Sequence, residues 1–182
     1  MFLENILHHR KIMRIPREYP TILFVIAITI IFFGNKNEGI ILFCAFLISE
    51  ILNKILKKCC KHMIQDKKLP ILGIGKRPPV AVFKLPQDGT MYKTSINSYG
   101  MPSGHSQLAL LFSTYIILRT YYNSNLKIFN KIFIYILMIF LAWYVLYSRI
   151  VEYWHTPQQT GIGGIIGIFL GFFTYKTYNI YK

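Results

Sequence analysis

Acidic side chains are scarce: seven Asp and Glu stand against 21 Lys and Arg in 182 residues. So few carboxylates leave little from which to build an oxygen-rich cage for a divalent cation. Cysteine is scarcer still. Cys44, Cys59 and Cys60 are an odd number at spacings that suit neither a disulfide framework nor a zinc site. They read as reduced thiols, with S-acylation of the adjacent Cys59 and Cys60 as the alternative. Charged residues of both signs make up only 15% of the chain and hydrophobic ones 53%, which excludes a disordered chain and disfavours an ordinary soluble enzyme. The net charge of +14 means that a partner recognised through charge is anionic: a phosphate, an acidic lipid headgroup or nucleic acid.

What the chain does have is long uncharged runs, at residues 19–35, 39–49, 101–118, 132–148 and 153–175. A helix needs roughly 17–25 apolar residues to cross a bilayer, so the second run reaches that length only by continuing through Glu50 to about Leu56. The expectation is an all-α integral membrane protein, a bundle of about five transmembrane helices. Tyr121, Tyr122, Trp143, Tyr147, Trp154 and Tyr175 cluster near run ends, where amphipathic rings favour the headgroup layer. So much apolar sequence sets nucleic acid aside as the anionic partner and leaves membrane lipids.

Residues 1–19 carry Arg10, Lys11, Arg14 and Arg17 among apolar side chains, which fits a basic amphipathic segment on an anionic membrane surface. Residues 20–182 then form one membrane-embedded domain. No small-residue cleavage site follows the basic segment, so the first apolar run is expected to stay in place as a span. With five spans, residues 1–19, 53–104 and 148–160 share one side of the membrane. Most of the 21 basic residues fall there, and the positive-inside rule makes that side cytosolic. In the last run Gly163, Gly167 and Gly171 form a small-residue stripe for close helix packing.

The chemistry begins at residues 98–106, SYGMPSGHS, where a polar loop turns into an apolar helix. Pro102 near the first helical position puts Ser103, Gly104 and His105 in the first turn. Free backbone N–H groups and the helix dipole make such a start an anion site. Gly104 permits close approach, Ser103 adds a hydroxyl, and His105 can exchange a proton with the bound group. Ser148-Arg149, five residues and then His155 lie on the same side. Arg149 offers a planar fork for two phosphate oxygens, and a second histidine beside it completes a nucleophile, an acid and an anion clamp.

These residues resemble the type 2 phosphatidate phosphatase family of integral membrane lipid phosphatases. Its motifs are a lysine followed by Arg-Pro, then PSGH, then Ser-Arg, five residues and His, with Asp four further on. The second is intact at Pro102-Ser103-Gly104-His105, and the third keeps Ser148, Arg149 and His155 at unbroken spacing. The resemblance implies a fold with the phosphatidate phosphatase/haloperoxidase-like helical core. It also implies that His155 attacks phosphorus to form a phosphohistidine and that His105 protonates the leaving oxygen. Arg149, Ser103, Gly104 and Arg77 would hold the phosphoryl oxygens. No metal or other cofactor is implied, in agreement with the scarcity of carboxylates.

The chain departs from the pattern twice. The closing Asp is Gln159, whose amide oxygen can still accept an N–H from His155. Thr156-Pro157-Gln158-Gln159 also reads as a capping box, so Gln159 either orients the histidine or caps the last helix. Glutamine here, with the YGMPS and HTPQQ surroundings of the two histidines, is similar to the dolichyl-diphosphatase branch. The first motif is stretched, since Pro70 stands where the lysine before Arg77-Pro78 belongs. Glu50, Asn53, Lys57 and Lys61 form a polar stripe on the second span, which makes Lys57 and Lys61 candidates for the missing cation, with Lys68 behind them. A register pairing Lys61 with Lys68 would demote Arg77 to a loop residue. Glu152 is either a substitute carboxylate for His155 or an interfacial charge near Arg149. Residues 84–97 form a polar loop able to shape headgroup access.

The leading reading is a multi-pass membrane phosphatase, in the endoplasmic reticulum or another internal membrane, acting on a lipid phosphate or isoprenoid diphosphate. Phosphatidate hydrolysis or phosphoryl transfer within the same family is the first alternative, and an inactive protein that binds anionic lipid is the second. Dolichyl diphosphatases are expected to work on the lumenal face, whereas the charge count puts this site in the cytosol.

Overall fold

The structure is a computed structural model that describes residues 14–64, 73, 75–78 and 99–182. Among the described residues there are five helices: α1 Arg14–Phe33, α2 Lys36–Ile64, α3 Gly104–Asn123, α4 Ile128–Val151 and α5 Pro157–Tyr181. The N-terminal reach of the surface segment, Lys68 and the loop at 84–97 lie outside the described residues. Among the described residues, α1, α2 and α4 are long and apolar enough to cross a membrane by length and composition. The inner helices α3 and α5 are more polar because they bury Ser106, Gln107, Ser113, Gln159, Thr160 and Thr174 against neighbours.

Several boundaries differ from the sequence expectation. Residues 14–19, expected in the surface segment, already belong to α1, where Tyr19 and Leu23 pack inward. The second run continues well past Leu56 as one 29-residue helix, about 43 Å long, so the polar stripe lies on a single continuous element. Ser103 is the N-cap of α3 and not a first-turn residue: its hydroxyl accepts the Ser106 N–H at 3.4 Å. Pro102 therefore precedes the helix.

Short links at residues 34–35, 124–127 and 152–156 turn successive helices back on one another. The starts of α1, α3 and α5 and the ends of α2 and α4 consequently meet at one end of the bundle. At the opposite end the buried Glu38 carboxylate accepts from Tyr115 Oη (2.8 Å) and Arg119 Nη2 (2.9 Å), tying α2 to α3. The core between them is built from Leu23, Ala27, Leu42, Phe46, Leu111 and Tyr115. Outside, α4 exposes Ile132, Phe133, Ile136, Ile139, Phe140 and Trp143, an apolar face suited to lipid and out of place in water.

The tightest packing is between α3 and α5. A Cβ at Gly163, Gly167 or Gly171 would strike the backbone carbonyl of Ser103, Gln107 or Leu111, so the two helices touch backbone to backbone. Gly161 on the same helix has nothing near its missing Cβ. Gly167→Ala is therefore expected to lower stability by about 1–3 kcal/mol through overpacking. Gly161→Ala is expected to raise it by about 0.5–1 kcal/mol through helix propensity. Thermal unfolding of the two variants in the same detergent checks the contrast.

Candidate active site

Buried side-chain amides fix the loops at the site end through hydrogen bonds. Asn53 of α2 donates through Nδ2 to the Pro102 carbonyl (3.3 Å) and to Gln107 Oε1 (3.0 Å). Gln107 Nε2 in turn donates to the Ser49 carbonyl and hydroxyl, both at 2.9 Å. This ladder sews the start of α3 to α2, because unpaired amides there would be costly. It also brings Asn53 against Gly104, where a Cβ would stand 3.2 Å from Oδ1. His105, in the first turn of α3, places Nε2 at 3.1 Å from the Arg17 carbonyl of α1. A carbonyl only accepts, so Nε2 carries the proton there, and Nδ1 is the atom free to take up or deliver another.

The second histidine is held by the turn between α4 and α5. Tyr153 adopts the left-handed conformation, φ 58°, which ends α4 and reverses the chain. The N–H groups of Trp154 and His155 then both reach the Arg149 carbonyl, at 3.0 and 3.1 Å. Arg149 itself is buried, with Nε on Ser148 Oγ (3.1 Å) and Nη2 on Glu152 Oε2 (2.8 Å). Glu152 pairs with arginine and not with His155; its other oxygen accepts from Arg17 Nη2 at 3.0 Å.

Gln159 does both things its sequence context offered. Its backbone N–H and side chain complete the capping box with Thr156, and its Oε1 lies 3.2 Å from His155 Nδ1. The amide's orientation follows from its other contacts, since Nε2 donates to the carbonyls of Lys76 (2.8 Å) and Gly75 (3.4 Å). Oε1 must therefore accept, His155 Nδ1 must donate, and the lone pair of His155 sits on Nε2. Burial pushes the His155 pKa down from 6.5 to about 3. The charges of Arg77 and Lys57 add to that shift, while the Gln159 hydrogen bond opposes it. The imidazole is neutral over the physiological range.

The same amide clamps the segment that carries Arg77. Gly100 N–H on the Gly75 carbonyl (2.9 Å) and an isolated antiparallel bridge between Lys76 and Tyr99 complete that clamp. Arg77 stacks over the Trp154 ring, 5.4 Å from its centroid.

These groups surround a cavity of about 340 Å³. His155, His105, Arg149, Gly104, Arg77 and Lys57 line it, as do Glu50 and Asn53 from the polar stripe. Three expected residues do not line it. Ser103 is fully buried beneath, its hydroxyl oxygen accepting from the Ser106 N–H and Oγ, and Lys61 is exposed one turn beyond Lys57. Gln159 stands behind His155. Arg17 and Trp154 line the cavity although neither was assigned to it from sequence. Trp154 adjoins His155 in the third motif and could have been suspected; Arg17 has no motif around it. Among the described residues, no group of three or more His, Cys, Asp and Glu is placed to hold a metal. The arrangement offers an unprotonated ring nitrogen, a second histidine with an available nitrogen, and four cations, Arg17, Lys57, Arg77 and Arg149, around one cavity.

The sequence matches the PAP2 superfamily over residues 38–181. It is 34% identical over 160 residues to "Dolichyldiphosphatase 1" of Dictyostelium discoideum, covering 86% of this chain and 59% of that protein. The like-named proteins of Rhinolophus ferrumequinum and Homo sapiens are each 30% identical over 155 residues, covering 81% of this chain and 56% of theirs. The chain thus spans a little over half the length of these curated relatives. No solved structure matches it.

The depressed His155 pKa has a consequence for stability. As pH falls from about 6.5 toward about 3, the unfolded chain takes up a proton on this side chain that the folded chain refuses. The fold therefore loses stability as pH falls through that window. Thermal unfolding of wild type and His155→Gln across it should show a shallower pH slope for the variant.

Proposed function

Because the chain belongs to the PAP2 superfamily, we propose that it is a multi-pass membrane lipid phosphatase whose substrate is an isoprenoid diphosphate. The observation that carries the reading is the His155–Gln159 pair, which puts a lone pair on Nε2 beside Arg149 and Arg77. In this reading His105 takes up a proton on Nδ1 as the anionic headgroup binds; Nε2 of His155 then attacks phosphorus, the bond from phosphorus to the leaving oxygen breaks, and His105 gives its Nδ1 proton to that oxygen. Water then attacks the phosphohistidine, giving its proton to His105, and inorganic phosphate leaves. Arg149, Arg77, Lys57 and the Gly104 end of α3 stabilise the charge on the phosphoryl oxygens without a metal.

The names of the relatives favour a diphosphate headgroup, and the exposed apolar faces of α1, α2 and α4 favour a substrate whose tail stays in lipid. An internal membrane is the proposed location, and the basic balance favours a cytosolic site end.

Phosphate release by the full chain in detergent and EDTA tests the reading. Wild type is expected to hydrolyse a polyprenyl diphosphate faster than phosphatidate, and His155→Ala to lose at least about 10³-fold in rate. Release from neither lipid, or an undiminished His155→Ala, overturns it. Gln159→Glu keeps an acceptor for His155 but loses the donor to the Gly75 and Lys76 carbonyls. Its expected signature is a raised KM from the loosened Arg77 segment, read in the same assay.

A further inference from the structure

The family match begins at residue 38, after α1 and Arg17, and Glu152 is one of the five unspecified residues between Arg149 and His155. Yet a single Glu152 carboxylate, 9% exposed, bridges Arg17 Nη2 at 3.0 Å and Arg149 Nη2 at 2.8 Å. A carboxylate on the arginine meant for phosphate is a liability. It competes for the guanidinium and repels an incoming anion. One arginine and one glutamate would leave that corner of the cavity neutral; the second arginine restores a net positive charge. Arg17 is one-third exposed and lines the same cavity.

We infer that Arg17 is a positioning residue of the anion site. By sharing Glu152 it lets the carboxylate hold Arg149 in place while cancelling the charge that would repel a phosphate or diphosphate headgroup. The inference rests on reading the cavity as a phosphate site. It also gives α1 a role in ligand binding that the motifs alone do not require.

The two duties of Glu152, anchor and repellent, are separable. In an Arg17→Ala protein the carboxylate faces Arg149 alone, and phosphate must displace it. Adding Glu152→Gln removes the negative charge, while the amide oxygen still accepts from Arg149. A suppressor relation follows: the second substitution repairs the first. If Arg17 only propped α1 against the bundle, losing its partner as well would repair nothing.

The test is the inhibition constant of inorganic phosphate and of pyrophosphate, with KM and kcat, for the full chain in detergent. Arg17→Ala is expected to weaken both anions about tenfold and raise KM similarly, with kcat changed less than about threefold. Arg17→Lys keeps most of the affinity, and Arg17→Ala/Glu152→Gln returns to within about threefold of wild type. Unchanged affinity in Arg17→Ala, or a double variant no better than it, overturns the inference while leaving the phosphate reading intact. If Arg17→Ala fails to fold, Glu152→Gln alone decides: binding at least as tight as wild type supports the inference, and weaker binding overturns it. A wild type that binds neither anion overturns both readings.

Discussion

Backbone contact between α3 and α5 sets the dimensions of everything at the site end. With glycine at 163, 167 and 171, the axis of α5 comes close enough to α3 for the Ser103 N–H to reach the Gln159 carbonyl at 3.0 Å. That distance fixes the helix start bearing His105 relative to the turn bearing His155. Larger side chains along the stripe would part the helices and with them the two histidines. The outer helices α1, α2 and α4 then wrap this inner pair and turn their apolar faces outward.

Within that frame one amide coordinates three elements. Gln159 caps α5, fixes the tautomer of His155 and holds the Gly75–Lys76 carbonyls so that the next residue, Arg77, reaches the cavity. A carboxylate at this position could accept from the histidine but could not donate to those carbonyls. The glutamine is thus suited to a chain whose Arg77 segment must be pinned to the last helix.

Charge is distributed with the same economy. Most cations gather at one end, and two of the few acids serve them there: Glu50 on the cavity wall and Glu152 between two arginines. Glu38 does comparable work at the far end, where it is buried against Arg119 and Tyr115. The carboxylates of Glu38 and Glu152 are both partnered, as the cost of an isolated buried charge requires.

Much of this was legible in the residues themselves. Apolar runs marked the five described helices, and the intact spacing of His105, Arg149 and His155 marked three residues that line one cavity, because hydrophobic periodicity and motif spacing are local properties. The polar stripe located the face of α2 that meets the cavity but did not separate Lys57 from Lys61, since both lie on it and only the height of the cavity along the helix distinguishes them. Nor could sequence decide that Gln159 both orients and caps, because its second set of partners lies 83 and 84 residues away at Lys76 and Gly75. Arg17 was the least visible of all. Nothing local separates a surface arginine from one that reaches a carboxylate 135 residues distant, and only the folding of α1 against the α4–α5 turn brings the pair together.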